Sequence, residues 1–283
     1  MENPIIALQE NISKLTETQK KVADYIIKNP LDVAFLTVDQ LAGLVGTSTT
    51  TIMRLTFSVG YSGYTEFQKG LQEILRNRAA PQTRLEANIK EMGENNLWGR
   101  YVESQIDNIQ DTINMVSPEL LDQVMDKLVS ADRIICTSVR SGLPVAQYLT
   151  HGLNRLLGNT QLILSDVSDW VDTLVNMTSN DVVIAVSFPR YARRIIDLTE
   201  TAKKNGVQVI SITDSYSSPL MKYSDIVLPC NSSSIAFHNS AVSSMFVADY
   251  LISAIAINYP ERTKERLDKV NETLTNMNYH SIQ

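Results

Sequence analysis

The sequence predicts two domains of different class: a small all-α domain, followed by an α/β domain built on a five-stranded parallel sheet. Three observations carry this. At 283 residues the chain is long enough for two domains. In the first 78 residues apolar positions recur at helical spacing between capping and breaking signals. Beyond residue 130 or so, short apolar runs alternate with helical stretches, the pattern of a doubly wound sheet. The composition, 43% hydrophobic and 20% charged, is that of an ordinary globular protein. No apolar run reaches the ~18 residues of a membrane span. The opening MENPIIALQENISKLTETQKK has helical spacing (Ile5, Leu8, Ile12, Leu15) and no signal-peptide pattern. A cytoplasmic protein with no membrane partner is expected.

The helical region reads in order. Thr16-Glu17-Thr18-Gln19 has the form of a capping box, followed by Val22, Tyr25 and Ile26, and Asn29-Pro30 ends that helix. A second box, Thr37-Val38-Asp39-Gln40, opens a short helix through Leu41, Ala42, Leu44 and Val45, which Gly46 stops. Ser48 is placed to cap the next helix, with Ile52, Leu55 and Val59 inward and an end at Gly60. A last helix from about Tyr64 carries Phe67, Leu71, Ile74 and Leu75 along one side.

Within this region VDQLAGLVGTSTTTIMRL has the order of a helix-turn-helix: short helix, tight glycine turn, second short helix, with small Ala42 at the crossing. In such a motif the start of the second helix faces base edges, while hydroxyls and amides there meet phosphate. Thr37, Ser48, Thr49, Thr50, Thr51, Met53 and Arg54 are therefore candidate DNA-contact residues. The same pattern also occurs in plain helical bundles, and a threonine run is poor helix material. Charge is permissive only. Residues 1–78 hold 8 Lys+Arg against 8 Asp+Glu, leaving 17 against 23 for the remainder, which carries the whole net charge of −6.

The stretch from Leu15 to Leu71 resembles the N-terminal domain of RpiR-type bacterial transcription regulators, in the Asn-Pro helix end, the Leu-Ala and Arg-Leu of the two motif helices, and the GY-x-GY-x-EF segment that follows. The resemblance implies binding to a double-stranded DNA operator. Members often carry lysines late in the second motif helix, where this chain has Phe57 and Ser58, which implies fewer phosphate contacts and a shallower salt dependence.

Residues 76–97 are polar, with Pro81 and Gly93, and read as a linker with some helical character. From Trp98 to Met115, Val102, Ile106, Ile109 and Ile113 support a further helix. Ser117-Pro118 then caps and opens another, with Leu120, Leu121, Val124 and Leu128. The expected organisation is a helix-turn-helix domain over 1–77, linker and connecting helix over 78–117, the α/β domain over 118–260, and a polar tail with a helical start over 261–283.

Five runs read as buried parallel strands: 133–137, 160–164, 181–187, 207–213 and 225–229. Helical stretches over 142–157 and 191–205 lie between them, and five strands with short crossovers suggest the flavodoxin-like class. Such sheets bind ligands at the carboxyl ends of their strands. After the first strand comes Ser138-Val139-Arg140-Ser141-Gly142, and after the third Ser187-Phe188-Pro189-Arg190-Tyr191, each leading into a helix. Ser138, Arg140, Ser141, Ser187 and Arg190 are thus candidates for an anion site of amides, hydroxyls and guanidinium. The alternative is that the serines cap helices and the arginines form salt bridges.

This domain is similar, over roughly residues 118–258, to the sugar isomerase (SIS) domain that follows the DNA-binding domain in RpiR-type regulators and binds phosphosugars. Its motifs depart from the usual pattern. In the Gly-x-Gly-x-Ser loop, Thr137 and Val139 replace the glycines and Ser141 remains; in the Ser-x-Ser-Gly-x-Thr loop only Ser187 survives, with Pro189, Arg190 and Ala192 at the other positions and Arg193 nearby. The anion site is then rebuilt around guanidinium, or the ligand is not a standard sugar phosphate. In this fold the segment His238-Asn239-Ser240 can close over the pocket, which adds His238 and Ser240 as candidates. The apolar helix over 241–257 suits core and subunit interface, and a homodimer or homotetramer is expected.

Cys136 and Cys230 lie at apolar strands without a CxxC, and His151, His238 and His280 are scattered, so buried free thiols are expected and no metal or cofactor. The sequence therefore points to a DNA-binding regulator modulated by a small phosphorylated or otherwise anionic effector. The alternative is a phosphosugar isomerase or lyase with an accessory helical domain. That reaction needs a positioned base, and neither His151 nor His238 sits in a recognisable catalytic pattern.

Overall fold

The computed structural model describes residues 3–34, 36–78, 81–92, 96–165 and 169–279, which divide into two units, Met1–Ile89 and Lys90–Gln283. The first unit begins with α1 (Pro4–Asn11), α2 (Glu17–Lys28), α3 (Pro30–Val33), α4 (Val38–Val45), α5 (Thr49–Ser58) and α6 (Tyr64–Arg78). Its one core is made by the periodic residues the sequence marks: Val22 and Ile26 from α2, Leu41 and Ala42 from α4, Ile52 and Leu55 from α5, Phe67 and Leu71 from α6. The side chains of Ile74 and Leu75 lie outside the described residues.

Local chemistry fixes the helix ends. Thr16 with Gln19 and Thr37 with Gln40 form reciprocal capping boxes, and Ser48 Oγ accepts from the Thr51 amide at 3.2 Å. Gly46 ends α4 at φ 70°, a left-handed conformation in which a side chain is strained. The aromatic segment beyond α5 is structural. Tyr61 meets Phe67 edge-on at 5.1 Å, and the Tyr64 hydroxyl donates to the Leu36 carbonyl at 2.9 Å, beside Gln68 at 2.7 Å to the same carbonyl.

α7 (Pro81–Met92) occupies most of the stretch that reads as a linker; Gly93 lies outside the described residues. The second unit continues through α8 (Leu97–Met115), α9 (Pro118–Ser130), β1 (Ile134–Ser138), α10 (Leu143–Leu157), β2 (Thr160–Ile163), α11 (Trp170–Val175), β3 (Val182–Val186), α12 (Arg193–Lys204), β4 (Gln208–Thr213), β5 (Ile226–Pro229), α13 (Val242–Asn258) and α14 (Pro260–Asn276). All strand pairs are parallel, in the order β2-β1-β3-β4-β5. This is the flavodoxin-like order, with its switch point between β1 and β3.

Strand residues alternate between two cores. Ile134, Cys136, Val182, Ile184, Ile210 and Ile212 pack with α9, α10 and α13. Ile135, Val183, Ala185 and Val209 pack with α11 and α12. Buried on both faces, the strands are continuous apolar runs rather than alternating ones. Both cysteines are free and buried, and burial pushes the Cys136 thiol up to about 12.

Two helices of the second unit pack through polar side chains. The apolar stripe of α8 does not face the core: Ile106 is 59% exposed and Ile113 50%, whereas Gln105, Asn108 and Thr112 are buried. The reason is that α8 packs on irregular backbone, whose carbonyls and amides need polar partners. The tail, in turn, is mostly helix. α14 lies on α10, burying Thr263 and placing the Arg262 guanidinium at 2.6 Å from the Val129 carbonyl. Among the described residues no single helix is long and apolar enough to cross a membrane.

Candidate DNA-contact surface and effector site

In the first unit, α4 and α5 meet across the Gly46 turn, and α5 has two distinct faces. Ile52, Leu55 and Thr56 are buried, while Thr50, Arg54, Phe57 and Ser58 form an exposed stripe one turn apart. Of the sequence candidates, Thr50 and Arg54 stand outward. Ser48 and Thr51 are exposed or half-exposed, but they bond each other (Oγ to Oγ1, 3.0 Å) in capping α5. Thr37 does the same work for α4, Thr49 is half-buried, and Met53 leans on the core. Phe57, 54% exposed on the same stripe, is an outward aromatic that propensity and periodicity alone do not assign to either face.

In the second unit the loops after β1 and β3 lie side by side, because these strands pair from Ile134↔Val182 to Ser138↔Val186. Ser138 is fully buried and donates to the Val186 carbonyl at 2.7 Å, so its proton joins the two strands. Gly142 follows closely. A Cβ there would collide with Ser138 Oγ and lie 3.1 Å from the Val186 carbonyl, so the first loop turns tightly over the end of β3. Ser187, 6% exposed, is held through its amide to the Ile212 carbonyl at 3.0 Å.

Arg140 and Arg190 are exposed and have left-handed backbones, at φ 55° and φ 69°. The two other described non-glycine residues with positive φ are asparagines, which tolerate that region better. Each arginine costs of order 1 kcal/mol in strain. Arg190 stands where the SIS pattern has glycine, the residue that adopts this left-handed conformation without strain. Capping does not occupy these loops: neither Val139, before the short turn Arg140–Gly142 that leads into α10, nor Ala192, before α12, caps through its side chain. Of the two flanking arginines, Arg193 pairs with Asp197 at 2.8 Å and Arg194 reaches the Ser165 carbonyl at 3.4 Å.

The chain then crosses the same edge. Cys230 N donates to the Thr213 carbonyl at 2.6 Å at the end of β4, and Asn239 Nδ2 donates to the Pro189 carbonyl at 3.0 Å at the end of β3. Ser240 is buried and donates to Gln105 Oε1 of α8 at 2.6 Å, while His238 is exposed, with its ring 5.3 Å from Phe237. Beside Pro189, Tyr191 donates its hydroxyl to Asp214 Oδ1 at 2.7 Å. Burial pushes the Asp214 carboxyl above its ordinary value, against the Tyr191, Thr213 and Ser215 hydroxyls that favour the carboxylate. The structure thus gathers Ser138, Arg140, Ser141, Ser187, Arg190 and Ser240 at one edge of the sheet. Asp214, Tyr191, Asn239 and Gln105 join them there, carried by contacts far apart in sequence.

Comparison with known proteins agrees with this architecture. Residues 3–78 match the helix-turn-helix domain of the rpiR family, and residues 127–254 match the SIS domain. The HTH-type transcriptional regulator HexR of Pseudomonas aeruginosa is 23% identical over 99% of this chain and 98% of its own length. The sugar isomerase domain of an RpiR transcription factor from Sphaerobacter thermophilus superposes with a TM-score of 0.60 at 30% identity, covering 62% of this chain and 98% of that one. The Vibrio vulnificus NanR protein, solved in complex with ManNAc-6P, aligns at 24% identity and a TM-score of 0.58 over 97% of this chain and 99% of its own. The chain belongs to the RpiR family of helix-turn-helix transcription regulators, with an SIS domain as its second unit.

Proposed function

We propose that this regulator binds double-stranded DNA through the exposed stripe of α5 and that a small phosphorylated sugar at the β1–β3 edge modulates its operator affinity. The observation that carries the effector half is the pair of adjacent loops, each holding an arginine in left-handed backbone and leading into a helix without a side-chain cap. The start of α12, together with the two guanidinium groups, favours an anion. The complex of NanR with ManNAc-6P supports a phosphosugar as the class. The effector shifts the population between operator-competent and incompetent states of a homodimer or homotetramer in the cytoplasm.

An isomerase or lyase reading is weaker. His151 lies on the exposed side of α10, two turns beyond its start, and Asp214 already accepts from three hydroxyls. HexR, similar over nearly the whole chain, is a regulator, and the first unit matches a DNA-binding domain rather than an enzyme.

Fluorescence anisotropy of DNA from upstream of the protein's own gene, titrated with protein and then with sugar phosphates and their unphosphorylated counterparts, tests this reading. Salt-sensitive binding that one sugar phosphate shifts is the expected result. Tight binding indifferent to every sugar phosphate overturns the effector half and leaves the DNA half standing. Arg54→Ala is expected to weaken operator binding by about 1–3 kcal/mol if Arg54 reads a base, or to lower the salt slope by about one if it meets phosphate.

A further inference from the structure

α8 is the first helix lying wholly in the second unit, and its buried face is a row of amides and a hydroxyl. Each has a partner in the segment that crosses the carboxyl edge of the sheet. Asn108 Nδ2 donates to the Ser233 carbonyl at 2.8 Å, and Thr112 Oγ1 accepts from the Asn231 amide at 3.0 Å. Asp111 Oδ2 accepts from Asn231 Nδ2 at 2.9 Å, and Gln105 Oε1 accepts from Ser240 Oγ at 2.6 Å. One group in this row is unmatched. Gln105 is 7% exposed, and its Nε2 is buried with no partner.

The orientation of that amide is fixed by its surroundings. Ser240 Oγ accepts from the Val242 amide at 3.3 Å, so its proton is available to Gln105. Asn108 Nδ2, whose role as donor is set by the Ser233 carbonyl, also lies 3.4 Å from Gln105 Oε1. Two donors therefore converge on the oxygen and leave the two N–H groups of Nε2 for something else. An unmatched buried donor is destabilising, and a protein retains one where a ligand or an ordered water supplies the acceptor. Ser240 is one residue from Asn239, which is bonded to Pro189 in the loop carrying Arg190. The amide that carries the unmatched donor thus bonds the segment that borders the anion loops.

We infer that Gln105 is an effector-binding residue: its Nε2 donates to an acceptor oxygen on the sugar portion of the effector, whose phosphate lies at the Arg140 and Arg190 loops. The inference rests on the effector reading given above. It gives α8 direct contact with the occupied site, so that the ligand is felt by the first helix lying wholly in the second unit, as well as by the sheet.

The test is calorimetric titration of the full-length protein and its Gln105→Met and Gln105→Glu variants with N-acetylmannosamine 6-phosphate, glucose 6-phosphate and inorganic phosphate. Methionine keeps the volume and removes the donor; glutamate keeps an acceptor for Ser240 and also removes the donor. Both variants are expected to weaken the sugar phosphate that binds wild type by about ten-fold or more, within the range of one lost buried hydrogen bond. Q105M should leave inorganic phosphate, which lacks the sugar, within about two-fold. Circular-dichroism melts of each variant separate loss of binding from loss of fold. Unchanged sugar-phosphate affinity in a folded Q105M overturns the inference and assigns the donor to a buried water. A wild-type protein that binds none of the three probes overturns the effector reading, and this inference with it.

Discussion

The two units are built by different kinds of instruction. In the first, each helix carries its own start and stop: Thr16 and Gln19, Thr37 and Gln40, Ser48, then Gly46 at φ 70°. In the second, the decisive contacts link residues far apart in the chain, such as Gln105 with Ser240, Asn108 with Ser233 and Pro189 with Asn239. A surface for reading DNA needs a rigid, locally specified helix. A pocket that responds to a ligand is assembled from segments that can shift against one another, and such segments leave fewer local marks.

The largest expected effect tests whether the units are energetically separate. Phe67 is fully buried in the first core, and Phe67→Ala is expected to cost about 3–5 kcal/mol there. Two-transition calorimetry should show the first unit melting earlier and the second unmoved; a shift of both transitions would break the comparison.

The converse change is in the second unit. The Asp181 side chain is 1% exposed and accepts from Arg133 Nη2 at 2.7 Å and from the Thr178 amide at 2.7 Å. Burial alone would raise its pKa, yet the Arg133 and Thr178 hydrogen bonds and the guanidinium charge outweigh it and hold the carboxyl below its ordinary value. Asp181→Ala is expected to cost about 2–3 kcal/mol, below the figure for a fully buried pair because Arg133 can turn to solvent. Since the folded value is depressed, this stabilisation is present above the unfolded pKa and is lost as pH falls through the folded one. Acid titration of the second transition measures it.

Arg190→Gly relieves a left-handed arginine and should leave the second unit as stable as wild type or more so by about 1 kcal/mol, while weakening phosphosugar binding. If stability and affinity fall together, Arg190 is part of the scaffold, and the contrast between strained function and relaxed framework fails there.

The smallest effect has the opposite pH sign to Asp181. Asp214 has a raised folded pKa, so the stability it contributes is present at low pH and lost as pH rises through that value. Asp214→Asn keeps an acceptor for Tyr191 and should flatten this loss, visible as a melting temperature that no longer declines as pH rises above the ordinary carboxylate range.

Much of the fold was legible because strands buried on both faces are apolar runs whatever their neighbours. Each expected strand overlaps the observed one to within a residue or so at either end. The first-unit helices were legible through their caps. α8 was read as a helix from Val102, Ile106, Ile109 and Ile113, but the face it buries was not legible, because Gln105, Asn108 and Thr112 find their partners in the 231–240 segment, far away in sequence. The tail was read as polar with a helical start and no more, because α14 docks through Thr263 and the guanidinium groups of Arg262 and Arg266 rather than an apolar face. At the candidate site, the Ser and Arg residues were singled out by their place after strands. Asp214, Tyr191 and Asn239 had no local signal, because their meaning lies in which strand end each one meets.

Both cysteines of the chain, Cys136 and Cys230, sit in the second unit, wholly buried, with thiols that burial pushes upward. In the native state neither presents the thiolate that alkylating reagents attack. Maleimide capture therefore occurs only when the SIS domain opens, while the DNA-binding unit, having no thiol, is silent. The rate of labelling in a quenched time course, followed by mass, becomes a clock for the opening of one domain within the intact chain, and its slowing by a sugar phosphate reads occupancy without an attached probe.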